Sequence, residues 1–471
     1  MSTIESTPLL HPTFNAWAEG LGVMRMALPL MATFVLESLP TLLALAIVGH
    51  LDMADVQDYV SAAALSTMLT AVTGISVGNG LISAMDTLCS QAVGAKKSEL
   101  LGLHLRTGVL VVGAAYVLMV LINVNAQVVL ETLGQDARVA SFAGTYSRIT
   151  ILGLPGLYLY ELVKRTLQAQ NIASPMVHIA LLSNGIYVAL AYLFCYHSPL
   201  GFYGAAFAWL VSNWSLALLT LLYLCVSSAH QSWALDTTSW RQASMHAPAF
   251  LQLGAAGMAM MLMEWWAFEL MALLAGMLVH PAVAISVHAI VANVSSSVYS
   301  IFLGVSVATG VRVGQLIGAD NVAHAKHMST LGLALTAATG VFVALGLVAA
   351  RAYIPTWIVN DPTTIAQAQD TLLVLAIFEV LDGVNCTAKG ILRAMGKQHL
   401  GVYVSLFAYY VVGVPLAALL GLYYAVGVAG LWVGLAAGVS FSALTLTGIV
   451  LYPGNWSTIV NHATKASMSL A

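Results

Sequence analysis

The sequence predicts an all-α membrane protein: twelve transmembrane helices in two six-helix lobes related by pseudo-twofold symmetry. Three observations carry that prediction. Of the 471 residues, 60% are apolar and 7% are charged, with a mean hydropathy of +0.88, whereas a soluble domain carries roughly 25% charged residues. The apolar residues gather into twelve runs, each of about the 20 residues or more that a spanning helix needs. Motifs of the first six runs return in the last six at a nearly constant offset of about 225 residues.

The runs lie near 24–49, 60–91, 105–130, 140–165, 175–197 and 203–227, then near 246–277, 282–308, 327–350, 364–390, 399–424 and 428–451. Gly, Pro, Asn or charged residues separate them. Each is read as helix, because lipid offers no partner to open backbone and the runs are too long for barrel strands. Pro40, Pro155 and Pro415 stand inside runs and are expected to kink them. The organisation that follows is a cytoplasmic tail at 1–23, an N-lobe at 24–227, a polar linker at 228–245, a C-lobe at 246–451 and a tail at 452–471.

The basic residues orient the chain, since Lys and Arg are retained on the cytoplasmic side of short loops. With the N-terminus inside, thirteen of the sixteen fall on the inner side, and only Arg138, Arg148 and Arg351 on the outer. The first 23 residues are polar and acidic, so no removable signal peptide is expected. Within them Glu5-Ser6-Thr7-Pro8-Leu9-Leu10 fits an acidic dileucine sorting pattern.

A net charge of −3 leaves no electrostatic footprint for nucleic acid. Cys89, Cys195, Cys225 and Cys386 stand at unrelated spacings, which excludes a zinc-type pair and reads as small hydrophobes within helices. The thirteen histidines are scattered, against a membrane-embedded metalloenzyme, and no metal or cofactor is expected. Asn213-Trp214-Ser215 and Asn385-Cys386-Thr387 fit a glycosylation pattern, but inside spans its use is not expected.

The internal repeat narrows the class. Gln91-Ala92-Val93-Gly94-Ala95-Lys96 returns as Gln315-Leu316-Ile317-Gly318-Ala319-Asp320, Lys164 with Leu167 and Ala169 returns as Lys389 with Leu392 and Ala394, and Gly49 returns as Gly276. An even number of helices per repeat leaves both halves with the same orientation, so they are related by an axis along the membrane normal. Such a repeat favours a carrier over a channel, with its site at the lobe interface near mid-membrane.

Seven carboxylates fall well inside apolar runs: Glu37, Asp86, Glu161, Glu264, Glu269, Glu379 and Asp382; Asp370 lies near an outer end. An ionised side chain at mid-bilayer costs about 2.5–3.5 kcal/mol on insertion scales, so each needs a cation, a proton or a watery cavity. Asp86 and Glu161 are close enough to Arg106, Lys164 and Arg165 for salt bridges. Few basic residues lie deeper, which favours protons as compensation for the deeper acids. Glu264 and Glu269, about 140° apart round one helix, can border one cavity, with Trp265, Trp266 and Phe268 as a stacking wall for flat or cationic ligands. Glu379 and Asp382 share a helix face, and their repulsion is a reason for one to hold a proton; Glu379 pairing with a base or reaching water is the other reading. Glu37 stands where Glu264 does in the other half, at an offset of 227. Asn293 and His288 are read as bonding to a neighbouring helix.

These residues resemble a known family. Glu264-Trp265-Trp266-Ala267-Phe268-Glu269, Ser83-Ala84-Met85-Asp86-Thr87-Leu88-Cys89-Ser90-Gln91, Val48-Gly49-His50-Leu51, and Asp382 followed by Gly390-Ile391-Leu392-Arg393 are similar to the multidrug and toxic compound extrusion (MATE) family, eukaryotic branch, from about residue 25 to residue 450. The resemblance implies an antiporter that expels organic cations or plant-type metabolites in exchange for protons, with Glu264, Glu269 and Asp382 as the coupling acids. It departs from the pattern of animal members at Asn293, where they carry a further acid, and from prokaryotic members at Ala44, where they carry an aspartate. Glu379 is additional, and Glu379, Asn293 and Glu37 are assigned supporting roles.

The expected function is therefore proton-coupled export of organic cations, drugs or secondary metabolites by alternating access, by a monomer in the plasma or vacuolar membrane. Its partners are a small organic substrate, protons and the lipid bilayer. An organic-anion exporter, for citrate or flavonoid conjugates, and a lipid-linked flippase are the alternatives on the same fold.

Overall fold

The structure, a computed structural model, describes residues 15–49, 56–452 and 456. The dileucine pattern, His50-Leu51 and most of both tails lie outside the described residues. Twelve long helices follow in order: α1 (Ala16–Gly49), α2 (Val56–Gly94), α3 (Leu100–Val124), α4 (137–169), α5 (Ser174–Tyr196), α6 (Tyr203–Val226), α7 (Trp240–Gly276), α8 (Pro281–Gly318), α9 (Val322–Ala350), α10 (Pro362–Ala394), α11 (Gln398–Tyr423) and α12 (Val428–Leu451). Eleven contain a stretch apolar and long enough to cross a membrane. The twelfth, α4, joins Ala137–Thr150 and Leu154–Ala169 through one 3-10 turn.

The helices match the apolar runs in number and order but reach further at the cytoplasmic end. There α8 continues to Gly318 and α10 to Ala394, because their last polar turns pack across the lobes. Side-chain caps set several starts. Ser239 and Gln242 form a reciprocal capping box at α7, and Asp361 accepts from the Thr364 amide at 2.8 Å ahead of Pro362 at α10. Hydrogen bonds from the Thr363 and Thr364 hydroxyls hold the Asp361 carboxyl low, at about 2.

The prolines act unequally. Pro155 opens the second part of α4 after its 3-10 turn, and Pro415 follows a wide π-helical stretch, Phe407–Gly413, in α11. By contrast α1 continues as α-helix through Pro29 and Pro40.

Each lobe has its own apolar core, around Met85, Leu105 and Leu162 in the first, which Phe250 of α7 joins, and Val291, Phe302 and Trp432 in the second. A third core joins them on the cytoplasmic side, where Ala27 and Leu30 of α1 meet Val305 and Val313 of α8 and Ile391 of α10. Of the cysteines, Cys89, Cys195 and Cys386 are buried as expected, whereas Cys225 is exposed. Asn213 and Asn385 are buried.

Candidate functional site

The repeat is visible atom by atom where the lobes touch. The Gln91 amide donates to the Ala394 carbonyl at 2.8 Å, and the Gln315 amide donates to the Ala169 carbonyl at 2.8 Å. A methyl group on Gly94 would collide with the Gln315 carbonyl, and one on Gly318 with that of Gln91. Only glycine permits this mutual approach of the α2 and α8 ends. Two ion pairs cross the same level. Asp86 is shared between Arg165 of its own lobe, at 2.6 Å, and Arg393 of the other, at 3.3 Å, and Arg312 of α8 holds Glu19 of α1 at 2.6 Å.

Above this seam the lobes part. The outer half of α2 packs beside α1 and α4 but leaves Gln57, Ser61, Ala64 and Met68 exposed in one stripe. On α7, Met258 lies against Gly80 and Gly254 against Leu81. Eleven residues are about three helical turns, so Trp265 stands above Gly254, and Glu269 above Met258, on the face that meets the other lobe below. Both are exposed. The same spacing sets Asn293 above Gly304, which touches Met31 of α1. By this spacing these residues front a cleft between the lobes that the seam closes at one end. Glu269 has no hydrogen bond or ion pair among the described residues.

Behind the cleft each lobe encloses a polar cluster. In the N-lobe the Lys164 ammonium donates to Glu37 at 2.7 Å and to Glu161 at 2.5 Å, and Tyr160 donates to Glu37 at 2.6 Å. In the C-lobe Lys389 donates to Glu264 at 2.9 Å, Tyr409 donates to Glu264 at 3.1 Å, and Ser442 donates to Asn385 at 2.7 Å. Asp382 bonds to Asn385 and stands in the fields of Glu264 and Lys389. Glu379 accepts from Ser295 at 2.6 Å through one oxygen, and its other oxygen is buried without a partner.

Several expectations are corrected here. Glu264 and Glu37 are compensated by buried lysines and not by protons alone, because each lysine stem reaches up the inside of its lobe from the cytoplasmic end of α10 or α4. Phe268 meets Phe378 and Trp432 edge-on, with centroids 6.4 and 6.1 Å apart, and is half-buried among them. Trp266 is exposed on a side of α7 turned about 100° from Trp265. Asn293 bonds to Ala289 of its own helix, and His288 makes no bond through Nδ1. Asp86 and Glu161 are salt-bridged as expected, although Arg106 instead caps carbonyls of the linker, Leu235 and Thr238. Sequence reading missed the roles of Tyr409 and Asn385. Only Lys389 left a signal, as the repeat partner of Lys164.

The comparisons with known proteins decide the family. The MatE family model matches residues 29–193 and 257–419. The chain belongs to the multidrug and toxin extrusion (MATE) family. MATE relatives include Protein DETOXIFICATION 17 of Arabidopsis thaliana, 32% identical over 93% of this chain and 90% of the relative, and human Multidrug and toxin extrusion protein 1, 32% identical over 88% of this chain and 71% of the relative. Among solved structures, that of the eukaryotic MATE transporter AtDTX14 is 28% identical, with a TM-score of 0.89 over 96% of this chain and 99% of that one. An outward-facing MATE transporter, 16% identical, shares the fold with a TM-score of 0.82 over 95% of this chain and 97% of that one. The protein is thus a multi-pass integral membrane transporter of the MATE family.

Proposed function

We propose that this MATE transporter exports organic cations in exchange for protons, working as a monomer by alternating access. One observation carries the reading: the two polar clusters differ in charge balance. In the N-lobe three carboxylates, Glu37, Glu161 and Asp86, face three cations, Lys164, Arg165 and the incoming Arg393. In the C-lobe Lys389 pairs with Glu264 and acts on Asp382, whereas Glu379 faces Asp382 and Ser295 with no cation beside it. An unpaired carboxylate in a dry interior costs far less as the neutral acid, so the C-lobe is the lobe that takes up protons.

In the cycle, a cation enters from the cytoplasm when the C-lobe acids are ionised and is attracted by Glu269 and the Trp265 ring on the cleft face. After the lobes reorient, outside protons neutralise Asp382 and its neighbours, the field that holds the cation weakens, and the cation leaves. Proton loss to the cytoplasm restores the site. Each pH unit supplies about 1.4 kcal/mol per proton. Two uncompensated acids against one monovalent cation would make exchange electrogenic, adding about 2.3 kcal/mol per 100 mV.

The deciding experiment uses proteoliposomes loaded with a cationic dye under an imposed pH gradient, repeated with a sodium gradient and with citrate as cargo. Dye efflux driven by protons alone is expected. Efflux driven by sodium alone, or preference for citrate, would overturn the reading.

A further inference from the structure

A cavity of about 370 Å3 opens on the outer face of the C-lobe, away from the cleft, between the turn that joins α7 to α8, the start of α10 and the turn that joins α11 to α12. Its polar lining includes His280, Gln367, Asp370 and Thr371, and Ala284 of α8 lines it too. Below it lies a plug of rings, Phe268, Phe378 and Trp432, with centroids 5.5 to 6.4 Å apart. One titratable side chain sits in that plug. His288, 6% exposed, lies against Trp432 at 5.8 Å, and its Nδ1 is buried without a partner.

The spacing along two packed helices connects these features. On α8, Ala284, His288 and Ser295 share one face, and Ser295 donates to Glu379. On α10, Thr371 of the cavity and Asp382 are eleven residues apart, about three turns on one face. Beside these faces are orphaned buried atoms: His288 Nδ1 on α8, Glu379 Oε2 on α10 and Nε1 of Trp432, the α12 ring against His288. Buried polar atoms normally find partners, and three orphans in one file between an outer cavity and the acid cluster are those of a path that water enters transiently.

The geometry points to a proton-entry route through the body of the C-lobe, from the Asp370 and His280 cavity by way of His288 to Glu379 and on to Asp382, separate from the substrate cleft. This rests on the proton-antiport reading. A proton from outside water adds to one nitrogen of the neutral His288 ring, and the other nitrogen releases its own proton through water to Glu379 Oε2. The ring ends neutral in its other tautomer and resets by turning, so one proton leaves the outer water and one arrives at the carboxylate. The ionisable groups along the route are His280 on the α7–α8 turn, Asp370, Glu379 and Asp382 on α10, and Glu264 on α7. Separation from the cleft lets protons reach the acids while a cation still occupies the site.

The test compares His288→Leu, His288→Gln and Asp382→Asn in liposomes that contain a pH-sensitive dye, with ethidium as the probe cargo. His288→Leu and His288→Gln are expected to slow proton uptake and the maximal efflux rate about tenfold while KM for ethidium stays within twofold, a split that a packing defect would not give. If His288→Leu does not reconstitute, the polar His288→Gln carries the comparison alone. Asp370→Asn should slow uptake only in weakly buffered outer medium, with recovery as buffer is added. Wild-type proton uptake in the His288 variants overturns the route. If Asp382→Asn at the same time abolishes uptake, proton antiport stands without it; if Asp382→Asn also keeps full uptake, both fall.

Discussion

Lys164 and Lys389 occupy the same place in the two lobes, 225 residues apart, and each donates to the carboxylate its lobe's first helix supplies, Glu37 at 2.7 Å and Glu264 at 2.9 Å. What surrounds them differs. Lys164 has Glu161 one turn before it and Arg165 beside it, whereas Lys389 has Asp382 two turns before it and Gly390 beside it. The duplicated pair is therefore a closed ionic cluster in one lobe and an acid-rich one in the other.

Neutralising one partner of the C-lobe pair leaves the other charge buried. Lys389→Met alone is expected to destabilise the protein by about 3–5 kcal/mol, and Lys389→Met with Glu264→Gln by distinctly less. Thermal unfolding in detergent of the two singles and the double measures the coupling. Simple additivity would show that the two groups do not sense each other.

Loss of the acid that lacks a cation should uncouple transport. Asp382→Asn is expected to lower pH-driven dye efflux at least a hundredfold with normal expression, and Glu264→Gln and Glu269→Gln to abolish most of it. Outside acidification from pH 8 to 6 should speed cargo release in the wild type and leave Asp382→Asn unchanged, because protonation removes a negative charge that the variant never carries. A pH response retained in the variant refutes the assignment.

Asp86 latches the lobes. Asp86→Asn removes the partner shared by Arg165 and Arg393, so the cytoplasmic seam should open more often. Spin labels on the cytoplasmic ends of α2 and α8 are expected to show a longer-distance population grow severalfold. An unchanged distance distribution assigns Asp86 to the N-lobe alone.

Trp265 and Phe268 should part in their effects. Trp265→Ala is expected to raise KM for cationic dyes about fivefold or more with little change in stability, since a cation over a ring gains about 0.5–2 kcal/mol. Phe268→Ala should cost about 3–5 kcal/mol of stability and leave KM unchanged. Measuring KM and unfolding on both variants decides; a raised KM for Phe268→Ala would return it to the cavity wall.

At the outer end of α10 the low Asp361 carboxyl gives a pH dependence of known sign. Its folded value, about 2, lies below the usual 3.8, so its stabilisation is complete above pH 4 and lost as pH falls from about 4 toward 2. Amide exchange at Thr363 and Thr364 should accelerate over that window and, in Asp361→Ala, be fast throughout. Exchange in the wild type that does not vary with pH beyond its intrinsic chemistry contradicts the cap.

Twelve spans and the two-lobe repeat were legible in the sequence, because lipid forces every spanning backbone into helix. The repeat was legible because Gln91 and Gln315, and Lys164 and Lys389, keep residue identity and spacing. What failed was any inference that required knowing which side of a helix meets which neighbour. Phe268 and Trp265 are both aromatic and three residues apart, yet one packs among Phe378 and Trp432 and the other is exposed. Glu264 seemed too deep for a cation because the reach of Lys389 is measured through space and not along the chain.

The sequence by itself determined that this is a twelve-helix carrier with acids in its second half, since hydropathy, charge bias and spacing are local properties of the chain. Only the tertiary structure decided which of those acids are neutralised by cations. Helix packing brings Lys164, Arg165 and Arg393 to the N-lobe acids and leaves Lys389 as the one cation paired with a C-lobe acid among the described residues, and such pairs as Lys164–Glu37, Lys389–Glu264 and Arg393–Asp86 join residues more than a hundred positions apart.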